Sequence, residues 1–463
     1  MLKPVPARAL IPLSLSMLLS SLGTSATNVG LPTFAKTFGA SFGQVQWVVL
    51  AYLLAVTSLV VGAGRLGDRI GRRRLLLAGI VLFTAASALC GAAPTLWLLV
   101  AARAAQGLGA AIMMALTLAF VAGTVPKSGT GRAMGLLGTM SAVGTALGPS
   151  LGGLLIAGPG WRWIFLVNLP LGAAAFLLAR RHLPADRAPA GREPFDILGT
   201  FLLAVTLCAY ALAMTIGRGR FGPMNLALLA AALAGACLFV MAERRAPAPL
   251  LRLAMLRDPG LGGALAASGL VAAVMMATLV VGPFYLARTL GLAPALAGLL
   301  LSAGPAVAAL SAVPAGRLTD RVGARRTASA GLAAIAAGCS ALALMPTELG
   351  LFGYVGGMIA VTAGYAVFQT ANNSAVMAQV VPDRRGLVSG LLNLSRNLGL
   401  VTGASALGAV FASASGASDP AAASAASVAS GMHATFAVAA GAILAALATL
   451  ASTSPRPAAA LSA

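Results

Sequence analysis

The sequence is poor in charged residues, and this shortage excludes most classes of protein. Of its 463 residues only 9% are charged, whereas a soluble domain usually carries about a quarter. Hydrophobic residues reach 59% and the mean hydropathy is +0.93, so the chain cannot cover a water-facing surface. Intrinsic disorder is excluded by the same composition, because disordered chains contain few apolar residues. The composition therefore predicts a membrane protein with several spans.

Cysteine and histidine are scarce as well. The four cysteines are scattered through apolar stretches, without the spacing of a disulfide framework or a zinc site, and there are two histidines. The sequence contains no Walker-type phosphate-binding loop and no nucleophile–base constellation. It therefore predicts no metal, no cofactor and no enzymatic activity, and it disfavours ATP-driven transport by this chain.

Acidic residues are outnumbered by basic ones, 10 against 31, which gives a formal net charge of +21. A nucleic-acid-binding protein would gather its basic residues on a soluble face. Here they instead separate apolar runs of about 20 residues, the length that crosses a ~30 Å hydrocarbon core. The expected partner is therefore the lipid bilayer and not a nucleic acid.

The apolar runs between these breaks predict fourteen transmembrane helices. Helices are expected because the strands of a barrel would alternate in hydropathy, and these runs do not. With the N-terminus inside, most basic residues fall in cytoplasmic segments, which predicts cytoplasmic termini in a bacterial inner membrane. The Ala- and Ser-rich stretch 412–432 is predicted to be a flexible connector. The predicted helices cover residues 9–31, 45–64, 75–93, 95–121, 133–157, 163–179, 197–216, 223–242, 260–286, 294–315, 327–346, 349–379, 387–411 and 433–452.

One segment occurs twice. Residues 64–74 read GRLGDRIGRRR and residues 316–326 read GRLTDRVGARR, so eight of eleven positions are identical. Each copy lies on a predicted cytoplasmic turn between two helices, and transporters often consist of two repeated halves around a central site. We predict a conformational switch in these turns, formed by Gly64, Asp68, Arg69, Gly71, Arg72, Arg73, Gly316, Asp320, Arg321 and Gly323.

Two interpretations of Asp68 are open. It is either a solvated charge that compensates the arginines of the turn, or a latch that exists in one conformation and breaks in the other. As a latch, its carboxylate would contact the positive start of a neighbouring helix, such as the one that begins near Leu387. Such a contact stabilises by ~0.3–1 kcal/mol.

The two turns resemble the cytoplasmic signature of the major facilitator superfamily, which each half carries after its second helix. Members with twelve spans separate the copies by six helices, whereas the predicted helices 197–216 and 223–242 make the separation eight. Fourteen spans resemble the drug:proton antiporter branch, the multidrug efflux pumps. The resemblance implies an all-α polytopic membrane fold with two six-helix bundles, at 1–183 and 259–463, and two extra helices within 184–258.

Three further motifs agree with this family, and the family also implies the latch role for Asp68. Residues 103–110 (RAAQGLGA) are similar to the fourth-helix motif with its buried arginine, and residues 161–170 (WRWIFLVNLP) resemble the entry to the sixth helix. Residues 144–153 (GTALGPSLGG) are similar to the fifth-helix antiporter motif, which is associated with export. The simpler interpretation is that its glycines allow close helix packing. The motif residues are Gly144, Gly148, Pro149, Gly152 and Gly153.

One position departs from the family. The first-helix motif of this branch has an aspartate after its leucine, whereas here Leu22 is followed by Gly23. The membrane-embedded carboxylate that is linked to cation recognition and proton coupling is therefore missing, and every acidic residue falls in a predicted loop or at a helix end. We accordingly expect a preference for neutral, anionic or zwitterionic substrates over dicationic ones.

Two arginines fall inside predicted spans. An arginine at the bilayer centre costs ~2.5–3.5 kcal/mol on insertion scales, so Arg103 and Arg396 face either backbone carbonyls, as packing anchors, or a water-filled cavity. The buried amides likewise either join helices or line that cavity. The candidate substrate cavity comprises Asn28, Arg103, Gln106, Gln369, Asn372, Asn373, Asn393 and Arg396.

The sequence thus predicts a secondary active exporter of small organic compounds, linked to protons and working by alternating access. A dedicated exporter of one endogenous metabolite or antibiotic is the alternative within the same class. A non-transporting membrane scaffold or sensor is the alternative from another class, and the intact turn signatures of both halves argue against it. The expected partners are a small-molecule substrate and protons, and the expected assembly is a monomer.

Overall fold

The computed structural model describes an all-helical chain over residues 7–124, 127–186, 196–216, 222–246, 258–378, 385–416 and 423–452. No β-strand occurs within these ranges. Two short π-helices, Tyr285–Thr289 and Gly403–Leu407, interrupt the regular pattern. The α-helices are α1 (Ala7–Val29), α2 (Leu31–Phe38), α3 (Phe42–Ile70), α4 (Arg72–Ala92), α5 (Leu96–Thr124), α6 (Lys127–Ala157), α7 (Trp163–Leu166), α8 (Asn168–His182), α9 (Ile197–Thr215), α10 (Pro223–Arg245), α11 (Pro259–Phe284), α12 (Pro294–Val322), α13 (Ala324–Leu344), α14 (Gly350–Ala378), α15 (Arg385–Thr402), α16 (Gly408–Ala414) and α17 (Ala425–Ser452).

The helices have the length and composition of membrane spans. Thirteen of the described helices are long and apolar enough to cross a bilayer, and the apolar part of α12, Pro294–Ala308, is shorter. The all-helical membrane fold predicted from the apolar runs is therefore confirmed. The count of fourteen spans is not confirmed, although each predicted run coincides with a helix.

The prediction of a flexible connector at residues 412–432 was partly wrong. Residues 412–414 complete α16, and α17 begins at Ala425 rather than at 433. The reason is that alanine has the highest intrinsic helix propensity, so a polar Ala- and Ser-rich segment can extend an apolar helix. Residues 417–422 of the stretch lie outside the described part of the chain.

Contacts divide the chain into two units. The inserted helices α9 and α10 group with the first unit, whereas the sequence predicted a separate segment for them at 184–258. The two units are defined by contacts between residues, whereas the predicted segments are defined by their order along the chain. The contacts therefore do not test the three-part division, which stays a prediction. Unit 1 comprises residues 1–217, 221–250 and 292–302, and unit 2 comprises residues 218–220, 251–291 and 303–463.

In unit 1, α1 packs on α6, and both α3 and α4 pack on α5. The inserted helices are joined to this bundle through polar contacts. Trp47 on α3 donates its indole N–H to Thr215 Oγ1 on α9 (3.1 Å), and the Asn225 amide on α10 donates to the Ala213 carbonyl on α9 (2.7 Å). Since a buried polar group costs free energy unless it is bonded, these contacts fix the place of α9 and α10 in the unit.

In unit 2, α13 packs on α14 and α17, and α11 packs on α15. One glycine contact has the same geometry in both units. A Cβ at Gly109 on α5 would lie 2.8 Å from the Gly79 carbonyl on α4, and a Cβ at Gly364 on α14 would lie 2.8 Å from the Gly331 carbonyl on α13. Glycine is required at these close crossings because any side chain would separate the helices.

Candidate functional site: the buried arginine and the repeated turns

Arg103 on α5 is completely buried and bonded to two other helices of unit 1. Its Nε donates to the Val48 carbonyl on α3 (2.9 Å), and its Nη1 donates to the Gly23 carbonyl on α1 (3.0 Å). The guanidinium lies over the Tyr52 ring at 4.2 Å, a cation–π contact. These contacts are those of an anchor between helices, the simpler interpretation of the sequence, and a cavity role for Arg103 stays a prediction.

The arginine also organises the neighbouring amide. Its Nη1 donates to Gln106 Oε1, and Gln106 Nε2 donates to Ser87 Oγ on α4 at 2.7 Å. Unlike Nε and Nη1, Arg103 Nη2 is buried without a hydrogen bond to any of the described residues. The Arg103–Gln106–Ser87 chain thus connects α3, α4, α5 and α1 and leaves the Nη2 amino group of a permanent cation without a partner among the described residues.

Asn28, the third predicted cavity residue of unit 1, bonds to its own helix. Its Nδ2 donates to the Thr24 carbonyl (3.0 Å), and its Oδ1 has no hydrogen bond to the described residues. Gly23 lies on the same helix, next to the arginine. A Cβ there would lie 3.2 Å from Phe83 Cζ and 3.6 Å from the Tyr52 hydroxyl, so a carboxylate at this position would enter the Arg103 network.

The other predicted cavity residues belong to unit 2. Asn372 on α14 is buried and donates to the Ala264 carbonyl on α11 (3.3 Å), and Asn373 Oδ1 is buried without a bond to the described residues. Gln369, Asn393 and Arg396 are half-buried. The structure therefore joins Arg103 with Gln106, and Asn372 with α11. Whether all eight residues line one cavity stays a prediction.

The glycines of the antiporter motif lie where α6 crosses α1. A Cβ at Gly144 would lie 2.6 Å from the Leu18 carbonyl, one at Gly148 would overlap Ser25 Oγ, and one at Gly152 would lie 2.7 Å from the Ala26 carbonyl. Ser25 Oγ donates to the Gly144 carbonyl at 3.1 Å. The spacing of four residues places all three glycines on one face, so the motif acts at least as a close-packing surface.

The remaining two motif residues lie on the opposite side of that crossing. Pro149 is buried inside α6, and Gly153 packs against Pro294 and Gly298 in the first turns of α12, within unit 1. Ser150 N, directly after this proline, donates to Ser302 Oγ on α12 at 2.8 Å. In a regular helix a backbone N–H donates to the carbonyl four residues earlier, and a proline inside a helix disturbs this pattern.

The first repeated turn is fixed by a carboxylate from outside the motif. Gly71, between α3 and α4, has φ +108°. Asp186, which follows α8, accepts from the Arg73 backbone N–H through Oδ1 (2.7 Å) and from the Arg74 backbone N–H through Oδ2 (3.0 Å). A Cβ at Gly71 would lie 2.5 Å from Asp186 Oδ2. Asp186 therefore caps the start of α4, and glycine is needed at position 71 both for its conformation and for room.

Two arginine side chains extend this anchoring. Arg72 Nη1 donates to the Ala119 carbonyl on α5 (3.0 Å), and Arg73 Nη2 donates to the Arg180 carbonyl on α8. The first turn is thus joined to α5 through Arg72, and to α8 and the segment after it through Arg73 and Asp186. Arg69 is exposed, and nothing lies within 4 Å of a Cβ at Gly64 among the described residues.

The second repeated turn has the same backbone but is more open. Gly323 has φ +90°, and no described residue lies within 4 Å of a Cβ there or at Gly316. Asp320 and Arg321 are exposed. Arg325 Nη2 donates to the Leu450 carbonyl near the end of α17 at 2.9 Å, just as Arg73 does at the end of α8.

The Asp68 latch stays a prediction. Asp68 belongs to the last turns of α3, but its side chain lies outside the described part of the chain, as do residues 379–384 before α15. What the structure does describe is a different carboxylate, Asp186, at the start of a helix in the same turn. Sequence reasoning missed Asp186, Tyr52 and Ser87. The last two are polar residues within apolar runs, a signal that the sequence did offer.

Comparison with known proteins decides the family. A sequence profile of the Major Facilitator Superfamily matches residues 13–404 and 264–463. The chain belongs to the major facilitator superfamily. It is similar to the "Multidrug resistance protein Stp" of Mycobacterium tuberculosis (strain CDC 1551 / Oshkosh), at 33% identity over 87% of this chain and 75% of that protein. It is also similar to the "Riboflavin transporter RibZ" of Clostridioides difficile, at 30% identity over 87% of this chain and 88% of that one.

The fold of this superfamily member agrees with solved transporters. The crystal structure of a variant of the peptide transporter POT matches with a TM-score of 0.72, at 16% identity over 97% of this chain and 95% of that one. Such a low identity shows the fold alone. Together the family match, the fold and the apolar helices identify a multi-pass membrane transporter.

Proposed function

We propose that this transporter is a secondary active exporter of small organic compounds in a bacterial inner membrane, with both termini cytoplasmic. The observation that carries the proposal is the identity of about a third, over 87% of the chain, to a protein named for multidrug resistance. Energy would come from the proton gradient, as in the drug:proton antiporter branch that the motifs resemble. Alternating access would follow from the two repeated turns, one in each half.

A susceptibility panel tests this proposal. A strain without its own efflux pumps would express the wild-type transporter, or the Asp68→Asn variant at the same level. We expect higher minimum inhibitory concentrations for several unrelated compounds with the wild type, and a smaller increase with the variant. If protection were limited to one compound, a dedicated exporter would be the better proposal, and the similarity to a riboflavin transporter makes riboflavin the first metabolite to include. No protection, and no counterflow in proteoliposomes, would favour the scaffold or sensor.

The topology is tested by single cysteines in a background without native cysteines. An impermeant thiol reagent added from outside should label position 418 and should not label positions 128 and 188. Labelling at 128 from outside would invert the proposed orientation.

For the substrate we propose a neutral, anionic or zwitterionic molecule. The support comes from the residues around Arg103. Arg103 is a permanent cation, its neighbours Gly23, Gln106, Ser87 and Tyr52 are uncharged, and Nη2 is unbonded among the described residues. A dication that shed its hydration here would find no fixed anion, at a cost of several kcal/mol.

The Gly23→Asp variant tests the charge preference, with Gly23→Asn as a control of equal size. The new carboxylate would lie beside Arg103 and neutralise it, so export should shift toward lipophilic cations in the aspartate variant only. Strong export of viologens or bis-biguanides by the unmodified transporter would contradict the proposal.

A further inference from the structure

Two tyrosines of unit 2 are buried with unused hydroxyl groups. Tyr285 is 0% exposed and Tyr354 is 1% exposed. Their rings stack with centroids 5.4 Å apart and an interplanar angle of 25°. Neither hydroxyl forms a hydrogen bond with any residue that the structure describes. Two phenols on adjacent, rigidly packed rings thus present donors without acceptors.

The unused hydroxyls are costly where they are. A buried hydroxyl without a partner costs about 1–3 kcal/mol, and buried tyrosines usually find one. Unit 1 shows that this fold can supply a partner, because Tyr52, 1% exposed, donates to the Ser20 carbonyl at 2.8 Å. Phenylalanine at positions 285 and 354 would fill the same space without the cost, so packing alone does not account for the two hydroxyls.

The backbone around Tyr285 is unusual as well. The residue opens the π-helix Tyr285–Thr289 that continues α11 after Pro283, and Leu290 N donates to the Tyr285 carbonyl at 3.2 Å. Short π-helices are rare in proteins as a whole, and those that occur are often found at functional sites. Tyr354 lies in the second turn of α14, so the pair joins the last turn of one helix to the start of another.

We propose that the Tyr285 and Tyr354 hydroxyls bind an acceptor oxygen of a transported molecule, a carbonyl or a carboxylate oxygen. Phenolic donors match a neutral or anionic acceptor and offer nothing to a cation that lacks one. The molecule reaches the rings when the surrounding helices separate during transport. The inference rests on the proposed function and concerns residues of unit 2 alone. A bound water is the other source of an acceptor oxygen, and two measurements distinguish the sources.

The first measurement is thermal unfolding of the purified full-length transporter without substrate. Tyr285→Phe and Tyr354→Phe should leave the Tm unchanged or raise it, because they remove an unsatisfied group. Tyr52→Phe, the matched control, should lower the Tm because it breaks the bond to the Ser20 carbonyl. A lower Tm for Tyr285→Phe and Tyr354→Phe would show that a water already satisfies the hydroxyls, and would overturn the proposal.

The second measurement is transport in proteoliposomes with three planar probes. Riboflavin and nalidixate carry acceptor oxygens, whereas ethidium has a fused ring system without a carbonyl. The Tyr285→Phe/Tyr354→Phe variant should raise KM for the acceptor-bearing probes by about 2- to 10-fold per lost hydrogen bond and leave ethidium unchanged. Equal effects on all probes, or no effect, would overturn the proposal, as would a wild type that carries ethidium alone. A wild type that carries no compound would instead refute the proposed function on which the inference rests.

Discussion

The two repeated turns share a backbone and differ in what holds them. Gly71 and Gly323 both adopt positive φ, +108° and +90°. In each turn the corresponding arginine, Arg73 or Arg325, donates to a carbonyl near the end of the last helix of its half. The first turn is in addition capped by Asp186, whereas Gly323 faces open space among the described residues. The repeat therefore dictates the shape of the turn, and a single carboxylate from outside the repeat makes one copy the more constrained.

The helices behind the turns show the same contrast. The glycine crossings of α4 with α5 and of α13 with α14 match in distance. Six residues before Gly109 stands Arg103, and six residues before Gly364 stands Met358. The packing frame is thus repeated, while the buried cation belongs to unit 1 alone at this position. Close packing tolerates such divergence, because only the crossing glycines are constrained by space.

The largest difference between the turns should appear with alanine at the two glycines. Gly71→Ala and Gly323→Ala both place a side chain at positive φ, which costs about 1–3 kcal/mol in each. Gly71→Ala also displaces Asp186, so its free energy of unfolding should be lower by a further ~0.5–2 kcal/mol, the value of a helix cap. Thermal unfolding of the two purified variants measures this. Equal losses would remove the contrast.

A smaller loss is expected from removing the cap itself. Asp186→Ala leaves the Arg73 and Arg74 N–H groups without their acceptor, and the free energy of unfolding should fall by ~0.5–2 kcal/mol, measured by thermal unfolding. Asp186→Asn keeps an acceptor oxygen and should recover part of the stability, since asparagine is a good capping residue. The control is Glu348→Ala, at an exposed carboxylate outside the repeated turns. A Tm for Asp186→Ala that matches this control would return Asp186 to an ordinary loop residue.

The smallest contrast concerns the aspartates within the motif. Asp68→Asn should lower transport by about 2- to 5-fold with little change in expression, since a carboxylate at a helix start stabilises by ~0.3–1 kcal/mol. Asp320→Asn should be milder. Expression and transport are measured on the same samples. Near-normal transport in both variants would make Asp68 a solvated charge of the turn.

The sequence was sufficient for the fold because the fold depends on apolar runs and on local repeats. Each run gave a helix, and the burial of Arg103 followed from its place in the middle of one. Helix ends were less predictable. α17 begins at Ala425 because alanine extends a helix that hydropathy alone would end, and the π-helix at Tyr285 has no pattern of its own.

Long-range polar partners could not be predicted at all. Asp186 lies 113 positions from its partner Arg73, and in the sequence it is one acidic residue in a polar connection. The unused hydroxyls of Tyr285 and Tyr354 are equally invisible, because apolar runs contain satisfied tyrosines such as Tyr52 as well. Such contacts depend on which helices meet, and hydropathy does not encode that.

The most direct test of the account is a double-mutant cycle on the free energy of unfolding with Gly71→Ala, Asp186→Ala and the combined variant. Asp186 packs directly against Gly71, so a side chain at position 71 would collide with it. The extra loss of stability caused by alanine at position 71 therefore requires Asp186 to be present. In the Asp186→Ala background, Gly71→Ala should therefore cost no more than Gly323→Ala costs in the wild type. Fully additive losses would contradict the claim that Asp186 holds the first turn.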